Sequence, residues 1–274
     1  MKLKVFDKNN KETKSVTLPS QFSEPVRPDI VKRAVLSLQA SRRQKYGSSP
    51  RAGQRHSAYV SKRRHKYRGV YGSGRSRTPA KVMNRRGIRF YFVGANVPQA
   101  VGGRRAHPPK AEKNWDLKIN RKERKKAIRS ALAATVDSDS VSRRGHKIPS
   151  SYPFVLDSSL ESVQKTKEFV DVLTALGFDK ELSRLDSLSV RAGAGKHRGR
   201  PKQNKKSLLF VVSKDCPLLR AAKNIAGVDV VPVTSLNAEL LAPGSQLGRA
   251  TLFTDAALDI MLQQQLFTDV NSAR

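Results

Sequence analysis

The pattern of apolar and polar positions changes period several times along the chain, and each change predicts an element. Residues 1–6 set Leu3 and Val5 between Lys2 and Lys4, the period-two signature of a half-buried strand, and residues 7–10 bring turn chemistry. From residue 28 to about 43 the apolar positions Val31, Ala34, Val35 and Leu38 recur at helical spacing, with Pro28 and Asp29 in the starting region. Residues 120–135 predict a helix with Ala127, Ile128, Ala131 and Leu132 as its packing face. Residues 138–151 read as a loop.

After that loop, strands and helices alternate. Residues 154–156 predict a strand, and residues 159–176 a helix with Phe169, Val172, Leu173 and Leu176 on one face and Gly177 as its stop. Residues 179–185 predict a shorter helix. Leu208 to Val212 is a continuous apolar run, the mark of a strand covered on both faces. A helix over 215–225 follows, with Pro217 in its first turn, then a strand over 228–233 and a short helix over 235–241. The last strand is expected at 250–253, and the last helix at 255–267 with Leu258, Met261 and Leu262 inward. Such alternation predicts an α/β fold, a doubly wound and mainly parallel sheet.

Between these patterned stretches lies one that has none. From Arg42 to Ala111 no period of two or 3.6 is sustained, and only residues 88–93 read as a short strand or a packed turn. Those 70 positions hold 19 Lys or Arg residues and no Asp or Glu, interleaved with Tyr46, Tyr59, Tyr67, Tyr71, Phe90, Tyr91 and Phe92. Apolar burial within such a segment does not offset its ordering entropy, so alone it should be an extended, mobile loop. The expected organisation is therefore a globular α/β body, residues 1–41 plus 112–274, with a long extended basic loop inserted at residues 42–111.

Charge sharpens this division. The formal net charge is +32, yet from Ser207 onward five basic residues (Lys214, Arg220, Lys223, Arg249, Arg274) meet six acidic ones (Asp215, Asp229, Glu239, Asp255, Asp259, Asp269), a net of 5 − 6 = −1. The excess sits upstream, and it points to a polyanion, because each phosphate neutralised releases condensed counterions. The candidate RNA contacts on the outward limb are Arg42, Arg43, Lys45, Arg51 and Arg55, then Lys62, Arg63, Arg64, Lys66 and Arg68. At the expected tip, residues 72–77, two glycines allow tight turning while Arg75 and Arg77 project charge. The return limb brings Lys81, Arg85, Arg86, Arg104, Arg105 and His107. In the body, the 138–151 loop offers Arg143 and Arg144, and a second glycine- and arginine-rich loop over 191–206 offers Lys196, Arg198 and Arg200. Unstacked bases would take up the aromatic and guanidinium planes.

Other chemistries find less support. No apolar run approaches the ~20 residues of a membrane-spanning helix, so no membrane partner is expected. Residues 1–7 lack the charged-then-apolar pattern of a secretory signal, and the lone Cys216 fits a reducing, cytoplasmic setting. Residues 193–197, Gly-Ala-Gly-Lys-His, look like the end of a phosphate-binding loop, but Val190 stands where that motif needs glycine and His197 where it needs Ser or Thr. His56, His65, His107, His146 and His197 all lie in basic loops without partners at metal spacing, so each is expected at the surface and no metal or cofactor is expected. No nucleophile, base and orienting group come together, and no enzymatic role is expected. An RNA-modifying enzyme on a nucleotide-binding sheet and a free-standing RNA chaperone or assembly factor are the alternatives.

Several motifs also carry a family resemblance. Residues 72–77 (GSGRSR), 102–109 (GGRRAHPP), 122–133, 191–200 (RAGAGKHRGR) and 240–244 (LLAPG), in this order, resemble the universal large-subunit ribosomal protein family number four in its archaeal and eukaryotic-like branch. The likeness covers almost the whole chain. The tip departs from it with Ser73 and Ser76 where the family often has Thr and Ala, and with Tyr71 where lysine is common. The resemblance implies a body seated on the large ribosomal subunit and bound to its rRNA, with neighbouring ribosomal proteins as partners. It also implies an assembly role, and an arm whose tip, Tyr71, Gly72, Ser73, Gly74 and Arg75, meets the nascent peptide in the exit tunnel of the cytoplasmic ribosome.

Overall fold

The short apolar runs become the strands of one sheet, and the periodic stretches become the helices that cover it. In the computed structural model, which describes residues 1–186 and 188–269, the chain divides into two units. One comprises Met1–Arg42 with Asp116–Arg274, the other Arg43–Trp115. In chain order the elements are β1 (Lys2–Phe6), β2 (Glu12–Thr17), α1 (Pro28–Ser41), β3 (Ala80–Arg86), β4 (Arg89–Gly94), α2 (Arg121–Val136) and α3 (Ser138–Arg143). They continue as β5 (Val155–Leu156), α4 (Thr166–Ala175), α5 (Asp179–Asp186), β6 (Ser189–Val190), β7 (Lys202–Gln203) and β8 (Leu209–Val212). The last are α6 (Leu218–Ala222), β9 (Asp229–Pro232), α7 (Ala238–Leu241), β10 (Thr251–Thr254) and α8 (Asp255–Gln263).

The first unit is built on a six-stranded sheet of order β2-β1-β5-β10-β8-β9, parallel throughout except for the antiparallel β1–β2 pair. Alternation along β8 shows why two layers of helix are needed. Leu209 and Val211 join a core with α1, α2, α7 and α8, whereas Leu208, Phe210 and Val212 join a second core with α4, α5 and α6. Val155 and Leu156 of β5, and Phe253 and Leu252 of β10, divide the same way. Each such side chain, fully withdrawn from water, contributes about 1.5–3 kcal/mol. This is the doubly wound, mainly parallel arrangement that the alternation predicted.

Several expectations are corrected in detail. Residues 138–151 open with α3, which Asp137 caps by accepting from the amides of Asp139 and Ser140 while Val141 is buried beneath. The expected 159–176 helix is a 3-10 turn over Ser158–Ser162, an extended Val163, and then α4. The helix expected at 215–225 shortens to α6, and the one at 235–241 to α7, where the Asn237 side chain accepts from the Leu240 amide at 2.9 Å. The final helix ends at Gln263, and Leu262 is exposed rather than inward. Strand β2 was not expected, because its residues are almost all exposed and only Val16 packs.

The second unit is not wholly irregular. Its β3 and β4 form an antiparallel hairpin from Ala80↔Gly94 to Arg86↔Arg89, with a register shift between Val82 and Asn84. What it lacks is a core. Among its residues only Ser61, Val70, Ala80 and Ala95 are buried.

Candidate nucleic-acid interface

A 73-residue unit with three buried apolar side chains needs other contacts to hold a shape, and its composition supplies arginine and aromatic rings. They are paired. The Arg75 guanidinium lies 3.4 Å from the centroid of Phe92 on β4 and donates to the carbonyls of Arg68 and Gly69 at 3.2 and 3.3 Å. Arg68 and Arg85 lie 4.8 and 5.6 Å from the Phe90 centroid, and Tyr67 meets Phe90 edge to face at 5.2 Å. Arg64 and Arg77 lie 5.6 and 4.9 Å from the Tyr71 centroid. At the ends of the unit Arg43 lies 5.2 Å from the Tyr46 centroid and 4.8 Å from that of Trp115, and the two rings lie 4.5 Å apart with their planes tilted by 35°. Each cation–ring contact at an exposed site contributes about 0.5–1 kcal/mol, so these pairs shape the arm without making it strongly stable.

The tip residues are accordingly divided in role. Gly72 and Gly74 have φ of 75° and 61° with open space around them, and the Ser73 hydroxyl donates to the Val70 carbonyl at 3.0 Å. Arg75 does not project as the sequence suggested: it is half-buried and turned back onto its own hairpin. Arg77 is exposed beside an exposed Tyr71.

Most of the other expected contacts are exposed. Along the arm these are Lys45, Arg51, Lys62, Arg63, Arg64, Lys66, Arg68, Arg86, Arg105 and His107, with Lys81 and Arg104 half-buried. Arg55 donates to the Ser49 hydroxyl at 3.2 Å, and Arg85 to the Gly87 carbonyl at 2.8 Å. Arg42, in the body unit, pairs with Glu239 at 2.7 Å. Lys196, Arg198 and Arg200 are exposed on the second loop, whose base the short β6–β7 ribbon closes. Some of the cations of α2 serve the body itself. Arg129 pairs with Glu24 at 2.9 Å and Asp269 at 2.8 Å, and Lys125 donates to the Thr268 carbonyl at 2.8 Å.

Arg143 is exposed, but its neighbour Arg144 is not the free cation expected. It donates to the carbonyls of Pro243, at 2.7 Å, and Gln246, tying the α3 turn to the segment before β10. Burial, with Arg249 and Arg184 nearby, pulls its guanidinium down to about 10, still charged at neutral pH. His146 is likewise corrected from the surface to the interior. Its Nδ1 donates to Glu181 Oε1 at 2.8 Å, and burial holds its basicity below the ordinary value despite that carboxylate.

Glu181 is the centre of this buried set. It also accepts from the Lys147 amide at 2.9 Å, from Arg184 at 2.6 and 2.8 Å, and from the Ser207 hydroxyl at 2.6 Å. Burial alone would raise its pKa, but these donors win and bring it down to about 2. Beside it the fully buried Arg249 donates to Asp229 at 2.5 Å and to the carbonyls of Ser207, Leu240, Leu208 and Gly227. The network ties the C-terminal end of the second basic loop to the body, where Arg184 donates to the Lys206 carbonyl and the Lys206 ammonium pairs with Asp229. Little in the sequence signalled it, because its main side-chain contacts join distant positions, Glu181 to His146 and Ser207 and Arg249 to Asp229.

The arrangement suits a partner that is large and anionic. Among the described residues no cluster of three or more His, Cys, Asp or Glu side chains could hold a metal ion, and no helix is long and apolar enough to cross a membrane. Comparison with known sequences decides the family. The sequence model described as the ribosomal protein L4/L1 family matches residues 16–263.

The chain belongs to the ribosomal protein L4/L1 family. Curated relatives span it almost end to end. A large ribosomal subunit protein uL4 of Nanoarchaeum equitans is 46% identical over 268 residues, 97% of this chain and 100% of the relative. Proteins of the same name from Methanococcoides burtonii and Halobacterium salinarum are 44% and 43% identical, over 94% and 96% of this chain and 96% and 100% of their own lengths. The L4/L1 assignment agrees with the resemblance carried by the tip, the Gly-Gly-Arg-Arg turn and the second basic loop. It makes the chain a ribosomal protein.

Proposed function

We propose that the chain is a structural constituent of the large subunit of the cytoplasmic ribosome. It binds large-subunit rRNA, supports subunit assembly, and carries its arm tip, Tyr71 to Arg75, to the nascent-peptide exit tunnel. Neighbouring large-subunit proteins and the emerging peptide near the tip complete its partners. One observation carries the reading: a unit with a single acid, Glu112, and almost no core of its own, within a chain whose relatives are named large ribosomal subunit proteins. Exposed guanidinium and ammonium groups along that unit meet phosphates, and RNA takes the place of the missing interior. Folding of the arm is then coupled to folding of the RNA.

Co-sedimentation separates this from a free RNA chaperone. The chain is expected to remain with large subunits through a wash at about 0.5 M monovalent salt, because many contacts act together and buried ones are poorly screened. Release into the soluble fraction with subunits left intact would favour the chaperone.

A further inference from the structure

The arm unit contains a feature that charge alone does not explain, a pocket of about 410 Å³ between its two limbs. Its walls include Tyr46, Ser49, Gln54, Arg104, Arg105 and Pro108. The frame is set by close backbone contact. The Ser48 amide donates to the Pro109 carbonyl at 3.0 Å, and a Cβ at Gly53, where φ is 74°, would fall 2.6 Å from the Arg104 Cα. At Gly47 a Cβ would fall 2.4 Å from the Ala111 nitrogen. The limbs therefore touch above and below the pocket, and only glycine permits both contacts.

Three kinds of group converge there. Tyr46 is half-exposed and lines the pocket, while Trp115, whose ring lies 4.5 Å from it at a tilt of 35°, does not. The tyrosine ring that lines the pocket is also in contact with the indole and with Arg43. Ser49 and Gln54 bring a hydroxyl and an amide. The Arg104 and Arg105 guanidinium groups form no hydrogen bond or ion pair among the described residues, so both forks remain for an anion. A bare phosphate has no use for the ring, and a base pair in a duplex cannot present its face to it. The volume falls at the small end of ligand pockets, ~300–1,000 Å³, which suits one nucleotide.

We infer that this pocket takes a single nucleotide splayed out of single-stranded RNA, its base stacked on Tyr46 and its phosphates held by Arg104 and Arg105. The inference rests on the RNA-binding reading above and adds a specific contact to it. Trp115 is the only tryptophan in the chain, and its contact with Tyr46 makes it a reporter for a base bound there.

The test titrates the full-length chain with a short single-stranded oligoadenylate, with the same ribose-phosphate strand lacking all bases, and with an RNA duplex of equal charge, following Trp115 fluorescence. The oligoadenylate is expected to quench Trp115 and to bind about tenfold more tightly than the base-free strand, within the range of one base–aromatic stack. Tyr46→Ala should remove that preference, Tyr46→Phe should keep it, and Tyr59→Ala, at another exposed tyrosine of the arm, should leave it unchanged. Equal binding of the intact and base-free strands, or a preference that survives Tyr46→Ala, overturns the pocket assignment alone. Failure to bind any of the three RNAs overturns the RNA-binding reading together with it.

Discussion

Raising monovalent salt from about 50 to about 200 mM is expected to weaken binding of the chain to its rRNA by roughly 10³–10⁵-fold, the loss for about six to ten phosphate contacts. The slope of log affinity against log salt should identify which cations take part. Replacing an exposed arm cation, Arg63, Arg86 or Arg105, by Gln is expected to lower the slope by about 0.7–0.9 for each phosphate lost. Replacing Arg75 by Gln should leave the slope nearly unchanged, because its guanidinium already lies on Phe92 and donates to two carbonyls of its own arm. Filter binding or fluorescence anisotropy across a salt series measures both. A flat salt response would remove the electrostatic account, and a full unit of slope at Arg75 would contradict its inward role.

Substituting Arg249 by Met is expected to destabilise the body by about 3–5 kcal/mol, the cost of leaving one partner of a buried ion pair alone. Five acceptors lose their donor at once: the Asp229 carboxylate and the carbonyls of Ser207, Leu240, Leu208 and Gly227. Lys206, at 2.9 Å from Asp229, remains but is exposed and compensates little. Arg249→Lys should recover only a fraction, since an ammonium cannot reach five acceptors in the geometry of a planar fork. Urea unfolding of the body reads the difference, and a change below about 1 kcal/mol would mean that the site relaxes around the loss.

The same unfolding series carries a pH dependence whose sign is fixed. Both members of the buried His146–Glu181 pair bind protons less readily in the folded chain than in the unfolded one. For His146 the stability is full above its ordinary value of 6.5 and declines as pH falls below it. For Glu181 it is full above 4.5 and declines as pH falls from there to about 2. Acid should therefore destabilise the body in two stages, and Glu181→Gln should flatten the lower one.

How much of this was legible in sequence follows from which interactions are local. Leu208 to Val212 announced a strand buried on both faces, and the structure divides those five residues between two cores. The helical faces of α1, α2 and α4 were equally plain, because 3.6-residue spacing is written in the chain itself. The β3–β4 hairpin was hidden by the register shift at Met83, which breaks the period of two, and by Arg85 and Arg86 at its end. The Glu181 and Arg249 networks were hidden by distance: Glu181 meets Ser207 26 positions away and His146 35 away. A lone arginine in a nearly neutral segment reads as a surface charge, and only packing reveals that it is buried. In the arm the residue types were visible but their pairing was not, so aromatic rings expected to await bases already carry arginines.

Limited proteolysis of the full chain, with and without its rRNA, tests most directly whether nucleic acid completes the arm. Without RNA, cleavage is predicted to concentrate between Tyr46 and Lys110 while the body survives, and added rRNA should suppress those cuts. Equal resistance of arm and body in RNA-free protein would contradict the account.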